Sequence, residues 1–68
     1  MTKYVLKVYF YEGGWQYYQG VINNKAHVTH DLREAKIYDD AYSCRASGDW
    51  LVGEYGSISR YEVATVEM

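Results

Sequence analysis

The stretch KVYFYEGGWQYYQG, residues 7–20, decides how this chain folds. It gathers four of the nine tyrosines, with Phe10 and Trp15, around the pair Gly13-Gly14. On either side lie KYVLKVYFY (3–11) and WQYYQGVI (15–22), rich in β-branched and aromatic residues, which read as strands. Adjacent glycines supply the positive φ angles of a tight primed turn, so residues 3–22 are expected to form a β-hairpin. With Gly13 and Gly14 as a two-residue loop, Glu12 faces Trp15, Phe10 faces Tyr17, Val8 faces Gln19 and Leu6 faces Val21. Directly opposed residues share a side of the sheet. One side then carries Tyr4, Leu6, Val8, Phe10, Trp15, Tyr17 and Val21, interrupted only by Gln19, and is the expected core side. The other carries Val5, Lys7, Tyr9, Tyr11, Gln16, Tyr18, Gly20 and Ile22, tyrosines set among polar groups.

Beyond the hairpin, NNK (23–25) signals a second turn, because Asn tolerates left-handed backbone angles. A short third strand, AHVT (26–29), follows. Asp31 with Glu34 three residues later has the form of a capping box opening one helical turn. AKIYD (35–39) is expected to extend as a short strand. Asp39 or Asp40 is an N-cap for a two-turn helix DAYSCRAS (40–47), with Gly48 as its stop. So short a helix is marginal alone and must lie on the sheet. SGDWLVGEYGS (47–57) reads as an irregular loop or loose hairpin with Trp50, Leu51 and Val52 tucked back, and SRYEVATVEM (59–68) as a closing strand. The third strand and the closing strand are both candidates to pair with residues 3–11. The expected architecture is a single α+β domain spanning 1–68: an antiparallel sheet of about four strands starting with a hairpin, with one short helix packed on one face.

At 68 residues such a domain buries only about 60% of the surface its unfolded chain exposes, and small chains compensate with disulfides, metals, association or large side chains. The single cysteine, Cys44, cannot form an internal disulfide, and a lone thiol suits a reducing cytoplasm. Lys7 and two tyrosines break up the N-terminal region where a signal peptide needs an apolar run, and no apolar stretch approaches a membrane span. Cytoplasmic localisation without membrane association is the expectation. A net charge of −2 provides no basic footprint for nucleic acid.

Catalytic and metal chemistry find little support in the residues. His27 and His30 would point to opposite faces of a strand, and no paired ligands have zinc-site spacing. Cys44 has no base beside it to lower its pKa. Asp39-Asp40 reads as capping chemistry, and the glycines at 48, 53 and 56 lack the Lys-Ser/Thr of a phosphate loop. The expectation is a non-enzymatic protein without cofactor or metal. The tyrosine side of the hairpin is the feature above background. Tyrosine anchors protein interfaces, and aromatic platforms on sheets also stack single-stranded bases.

VTHDLREAKIYDDAYSCRA (28–46) resembles a stretch in small proteins encoded by bacteriophages and prophages, with Thr29, Asp31, Leu32, Ala35, Lys36 and Tyr38 preceding a short helix that holds Ala41 and Ala46. The resemblance implies a phage accessory protein that inhibits a host or defence protein, and it carries over no functional residues. The expected function is therefore occlusion of such a protein in the host cytoplasm. Lys7, Tyr9, Tyr11, Gln16 and Tyr18 form the expected contact surface, and acids such as Asp39 and Asp40 supply polar rim contacts. Single-stranded nucleic-acid or nucleotide binding is one alternative; a homodimer or larger homo-oligomer joined through the tyrosine side is the other.

Overall fold

Residues 1–68 are described by a computed structural model. Its elements are β1 (Thr2–Phe10), β2 (Trp15–Ile22), β3 (Lys25–Thr29), a 3-10 turn at Leu32–Glu34, α1 (Ala41–Glu54) and β4 (Ile58–Glu67). The four strands form one antiparallel sheet in the order β3-β2-β1-β4, and α1 packs on one side of it against β1 and β4. The fold is α+β. Asn23 and Asn24 both adopt left-handed angles (φ 53° and 65°), making the tight β2–β3 turn, and β4 rather than β3 takes the other side of β1.

The first hairpin closes differently from a two-residue turn. The Phe10 N–H donates to the Gly14 carbonyl at 3.2 Å, and the Gly13 N–H donates to the Phe10 carbonyl at 3.0 Å. Gly13 and Gly14 have φ of +105° and +79°, so the loop runs from Phe10 to Gly14. Lys7 thus pairs with Tyr17, Val8 with Gln16 and Tyr9 with Trp15. Tyr17 faces Lys7 instead of Phe10, an odd slide that turns β2 over relative to the two-residue register. Tyr18 goes to the helix side, 4% exposed, with Leu6, Val8, Tyr38, Cys44, Leu51 and Ile58. Trp15 and Tyr17 go to the opposite side. This corrects the β2 half of the expected core side, while Tyr4, Leu6, Val8 and Phe10 of β1 face the helix as expected, and it removes Tyr18 and Gln16 from the side shared by Lys7 and Tyr9.

Past Lys7 and Tyr17, β2 and β1 part, and the chain after the 3-10 turn fills the gap. The Lys36 N–H donates to the Tyr18 carbonyl at 2.9 Å, and Tyr38 exchanges two backbone bonds with Tyr4 at 2.8 and 3.0 Å. The expected strand at 35–39 is thus reduced to a single bridge, set in the gap between β1 and β2. The Tyr38 hydroxyl reaches through to donate to Ser47 Oγ of α1 at 2.7 Å. On the far side of the sheet, Val5, Thr29 and Ala35 are buried, and Leu32 and Ile37 border Val66 in a shallow apolar cleft.

Asp40 caps α1, its carboxylate accepting from the Ser43 N–H at 2.7 Å and the Ser43 hydroxyl at 3.1 Å. The helix then runs straight through Gly48 to Glu54, so the expected stop at Gly48 and loop at 47–57 are corrected. Gly48 does not adopt a positive φ. Its role is steric: the Tyr61 ring of β4 lies on it, and a Cβ there would fall inside the ring's van der Waals envelope. The Tyr61 hydroxyl completes the contact by donating to Asp49 Oδ1 at 2.7 Å. Leu51, in the stretch expected to be irregular, becomes one of the most buried side chains.

Two helical glycines therefore respond oppositely to alanine. Gly48→Ala overpacks against Tyr61 and is expected to cost about 1–3 kcal/mol. Gly53→Ala, with open space around it, is expected to gain about 0.5–1 kcal/mol. Urea denaturation of the two variants measures both.

Candidate binding face

The sheet side away from α1 is built by alternate residues of its paired strands. Tyr9 of β1 stands between Trp15 of β2 and Arg60 of β4; Lys7 stands between Tyr17 and Glu62. Their rings and cations form a continuous strip. The Arg60 guanidinium lies 3.8 Å from the Tyr9 ring centre, and Lys7 Nζ lies 4.6 Å from that of Trp15. Tyr9 and Trp15 have their centres 6.3 Å apart, and Trp15 meets Tyr17 edge-on at 5.0 Å. Glu62 Oε1 is 4.0 Å from Lys7 Nζ. Trp15 remains 38% exposed, and Arg60 and Glu62 are exposed. The lower part of this side is covered by residues 31–37; the strip is what that cover leaves open.

Of the residues expected to bind, the structure brings Lys7 and Tyr9 together on this strip. Tyr11 sits on the hairpin loop, 72% exposed, its N–H held by the Ser57 carbonyl at 3.0 Å. Gln16 pairs with Val8 on the helix side and lines a shallow cleft with Tyr11 and Ser57. Tyr18 is in the core, where burial and the neighbouring Tyr55 raise its pKa. Asp39 is held by Lys3 at 2.6 Å, which keeps its carboxyl below the usual range, and Asp40 caps α1. The two acids lie at the start of the helix, apart from the strip.

Trp15 and Tyr17 are the members that the two-residue turn concealed; Arg60 and Glu62 join through the β1–β4 pairing. A signal for the latter two lies in SRYEVATVE, where Arg60 and Glu62 alternate with Tyr61 and Val63 and mark one polar side of a strand.

Elsewhere Asp31 and Glu34 are occupied and Cys44 is buried, while His27 and His30 are exposed. Asp31 accepts from the Arg33 backbone N–H at 2.9 Å and from its guanidinium at 2.9 and 3.1 Å, holding its carboxyl below the ordinary range. Glu34 accepts from the Thr29 hydroxyl at 3.1 Å rather than closing a box on Asp31. No three His, Cys, Asp or Glu side chains converge as metal ligands would. No helix is long and apolar enough to cross a membrane. No protein-family model, curated protein or solved structure matches the chain.

Cys44 has no exposed surface, and burial pushes its thiol from the ordinary 9.0 up to about 11. A folded pKa raised above the unfolded one stabilises the fold fully below about pH 9; that contribution is lost as pH rises toward about 11. Tyr18 and Tyr38, also raised by burial from 10.0, act in the same direction. Denaturation midpoints are expected to fall across that alkaline window, less steeply in Cys44→Ala. In the native protein at neutral pH, Cys44 is expected to resist a thiol reagent that labels it readily in denaturant.

Proposed function

We propose that this protein is a non-enzymatic protein-binding module and that the strip of Tyr9, Trp15, Tyr17, Lys7 and Arg60 is its contact face. The observation that carries the reading is an aromatic strip, on the part of the sheet that residues 31–37 leave open, in which Tyr9 and Trp15 are capped by the chain's own cations. Trp, Tyr and Arg are the residue types that dominate interface energetics. Lys7 and Arg60 fit the strip to an acidic patch on the partner. The likeness of residues 28–46 to phage-encoded accessory proteins makes a bacterial host or defence protein the first class to test, with occlusion as the mechanism.

Single-stranded nucleic acid is the weaker reading. Base stacking needs free ring faces, and Arg60 and Lys7 already lie over Tyr9 and Trp15. A chain of net charge −2 also supplies little of the phosphate neutralisation that drives such binding.

The test compares wild type with Trp15→Ala as baits in bacterial lysate, followed by affinity measurement on any protein captured by wild type alone. A hot-spot loss of about 2 kcal/mol predicts roughly 30-fold weaker binding by Trp15→Ala at unchanged stability. Tyr18→Ala, by contrast, empties the core and is expected to cost about 3–5 kcal/mol of folding stability. Identical capture by wild type and Trp15→Ala overturns the reading. So does micromolar, salt-sensitive binding of single-stranded oligonucleotides that Trp15→Ala abolishes.

A further inference from the structure

Strand β4 is ten residues long and lies at the edge of the sheet, with β1 on one side only. Its hydrogen-bond phase follows from the chain ends. The Met68 N–H donates to the Met1 carbonyl at 2.9 Å, and the Met1 ammonium donates to the Met68 carbonyl at 2.7 Å. In an antiparallel ladder, bonded and non-bonded pairs alternate. Continuing from Met1 and Met68, the pairs Lys3–Val66, Val5–Ala64, Lys7–Glu62 and Tyr9–Arg60 are the bonded ones. Tyr4 agrees with this phase, since its N–H and C=O go to Tyr38, away from β4. Tyr61, Val63, Thr65 and Glu67 therefore turn their main-chain N–H and C=O groups outward from the edge.

Long edge strands template further pairing unless they are short, bulged, proline-bearing or covered. The chain has no proline, and the one irregularity in the β1–β4 ladder lies at its beginning, between Arg60 and Ile58. The other edge, β3, is five residues long. Charge order then selects the occupant. Outward groups at odd positions allow antiparallel self-pairing about a two-fold axis at Tyr61, Glu62 or Val63. An axis at Glu62 sets two carboxylates against each other. An axis at Val63 places Arg60 opposite valine and Glu62 opposite alanine. An axis at Tyr61 places Arg60 of each copy opposite the partner subunit's Glu62, twice. Opposite charges directly across a strand pair are stabilising and like charges destabilising.

We propose that β4 is a strand-addition edge for a second copy of this chain, paired antiparallel about Tyr61 to give one continuous eight-stranded sheet. Tyr61 bonds across the axis to its counterpart, and Val63 lies opposite the partner subunit's Ser59. Arg60 keeps one face on Tyr9 while its N–H edge addresses the partner subunit's Glu62. This pairing uses the backbone edge and stands whether or not the aromatic strip binds a partner protein.

Sedimentation equilibrium over a range of concentrations, with circular dichroism to verify the fold, tests it. Wild type is expected to dimerise reversibly, Arg60→Glu to weaken association by roughly tenfold or more, and the double variant R60E/E62R to restore it. Hydrogen exchange adds a second readout: the Tyr61 and Val63 amides are expected to be protected at dimer-forming concentrations and to exchange freely on dilution. A monomer at the highest soluble concentration overturns the proposal. So does a dimer indifferent to Arg60→Glu, a double variant that fails to restore association, or a dimer abolished by Trp15→Ala alone.

Discussion

The backbone bonds that close the Phe10–Gly14 loop determine which aromatic side chains this protein buries. Strand side chains alternate with a period of two, so the loop length sets the parity of everything on β2. With Phe10 bonded to Gly14 and Gly13 bonded back to Phe10, Tyr18 meets Leu6 and Val8 under the helix. The same parity places Trp15 and Tyr17 beside Tyr9 and Lys7 on the other side. Only glycine holds φ values of +105° and +79° without strain, so the register rests on Gly13 and Gly14.

From that register follows a core that uses both sides of a small sheet. No disulfide contributes, since Cys44 is alone and buried. Stability must come from large side chains, and each tyrosine among them carries a hydroxyl that needs a partner when buried. Tyr38 finds Ser47, Tyr61 finds Asp49, and the Tyr55 hydroxyl accepts from the Ala26 N–H at 3.3 Å. Each of these bonds joins two different parts of the fold. Gly48 belongs to the same solution: a glycine inside a helix costs about 1 kcal/mol relative to alanine, which the close seat of the Tyr61 ring offsets.

Local rules made most of the elements legible. The alternating strands, the Asn23-Asn24 turn and the Asp40 cap are dictated by neighbours within a few residues, and each lies where the residues imply. Tertiary contacts govern the elements that local rules misplaced. Gly48 ends a helix by propensity but continues one when β4 lays a tyrosine on it. Residues 35–39 have strand character, yet only Tyr38 forms a bridge, wedged where β1 and β2 part. The hairpin loop lies between these cases: Gly13-Gly14 announces a turn but does not state its length, and one odd slide moves three aromatic residues, Trp15, Tyr17 and Tyr18, between core and surface. Lys7 and Tyr9 stayed on the open side because they belong to β1, whose phase the loop does not alter. Arg60 and Glu62 joined them through the β1–β4 pairing, which no local signal encodes.

An exposed aromatic strip invites non-specific association, and the cations over it bear on that risk. A guanidinium seated on a ring shields one face from water while its five N–H donors remain in the ring-parallel plane. Arg60 on Tyr9 thus presents a charged edge where a bare ring would present apolar surface. Lys7 does the same over Trp15, with Glu62 within reach of its ammonium. Seating also orders these long side chains in advance, so less rotamer freedom remains to be lost on binding. The strip consequently favours partners that bring carboxylates to the cation edges over partners that must displace the cations to reach the rings. A protein surface bearing acidic side chains meets that requirement; a nucleobase, which binds through the ring face, does not.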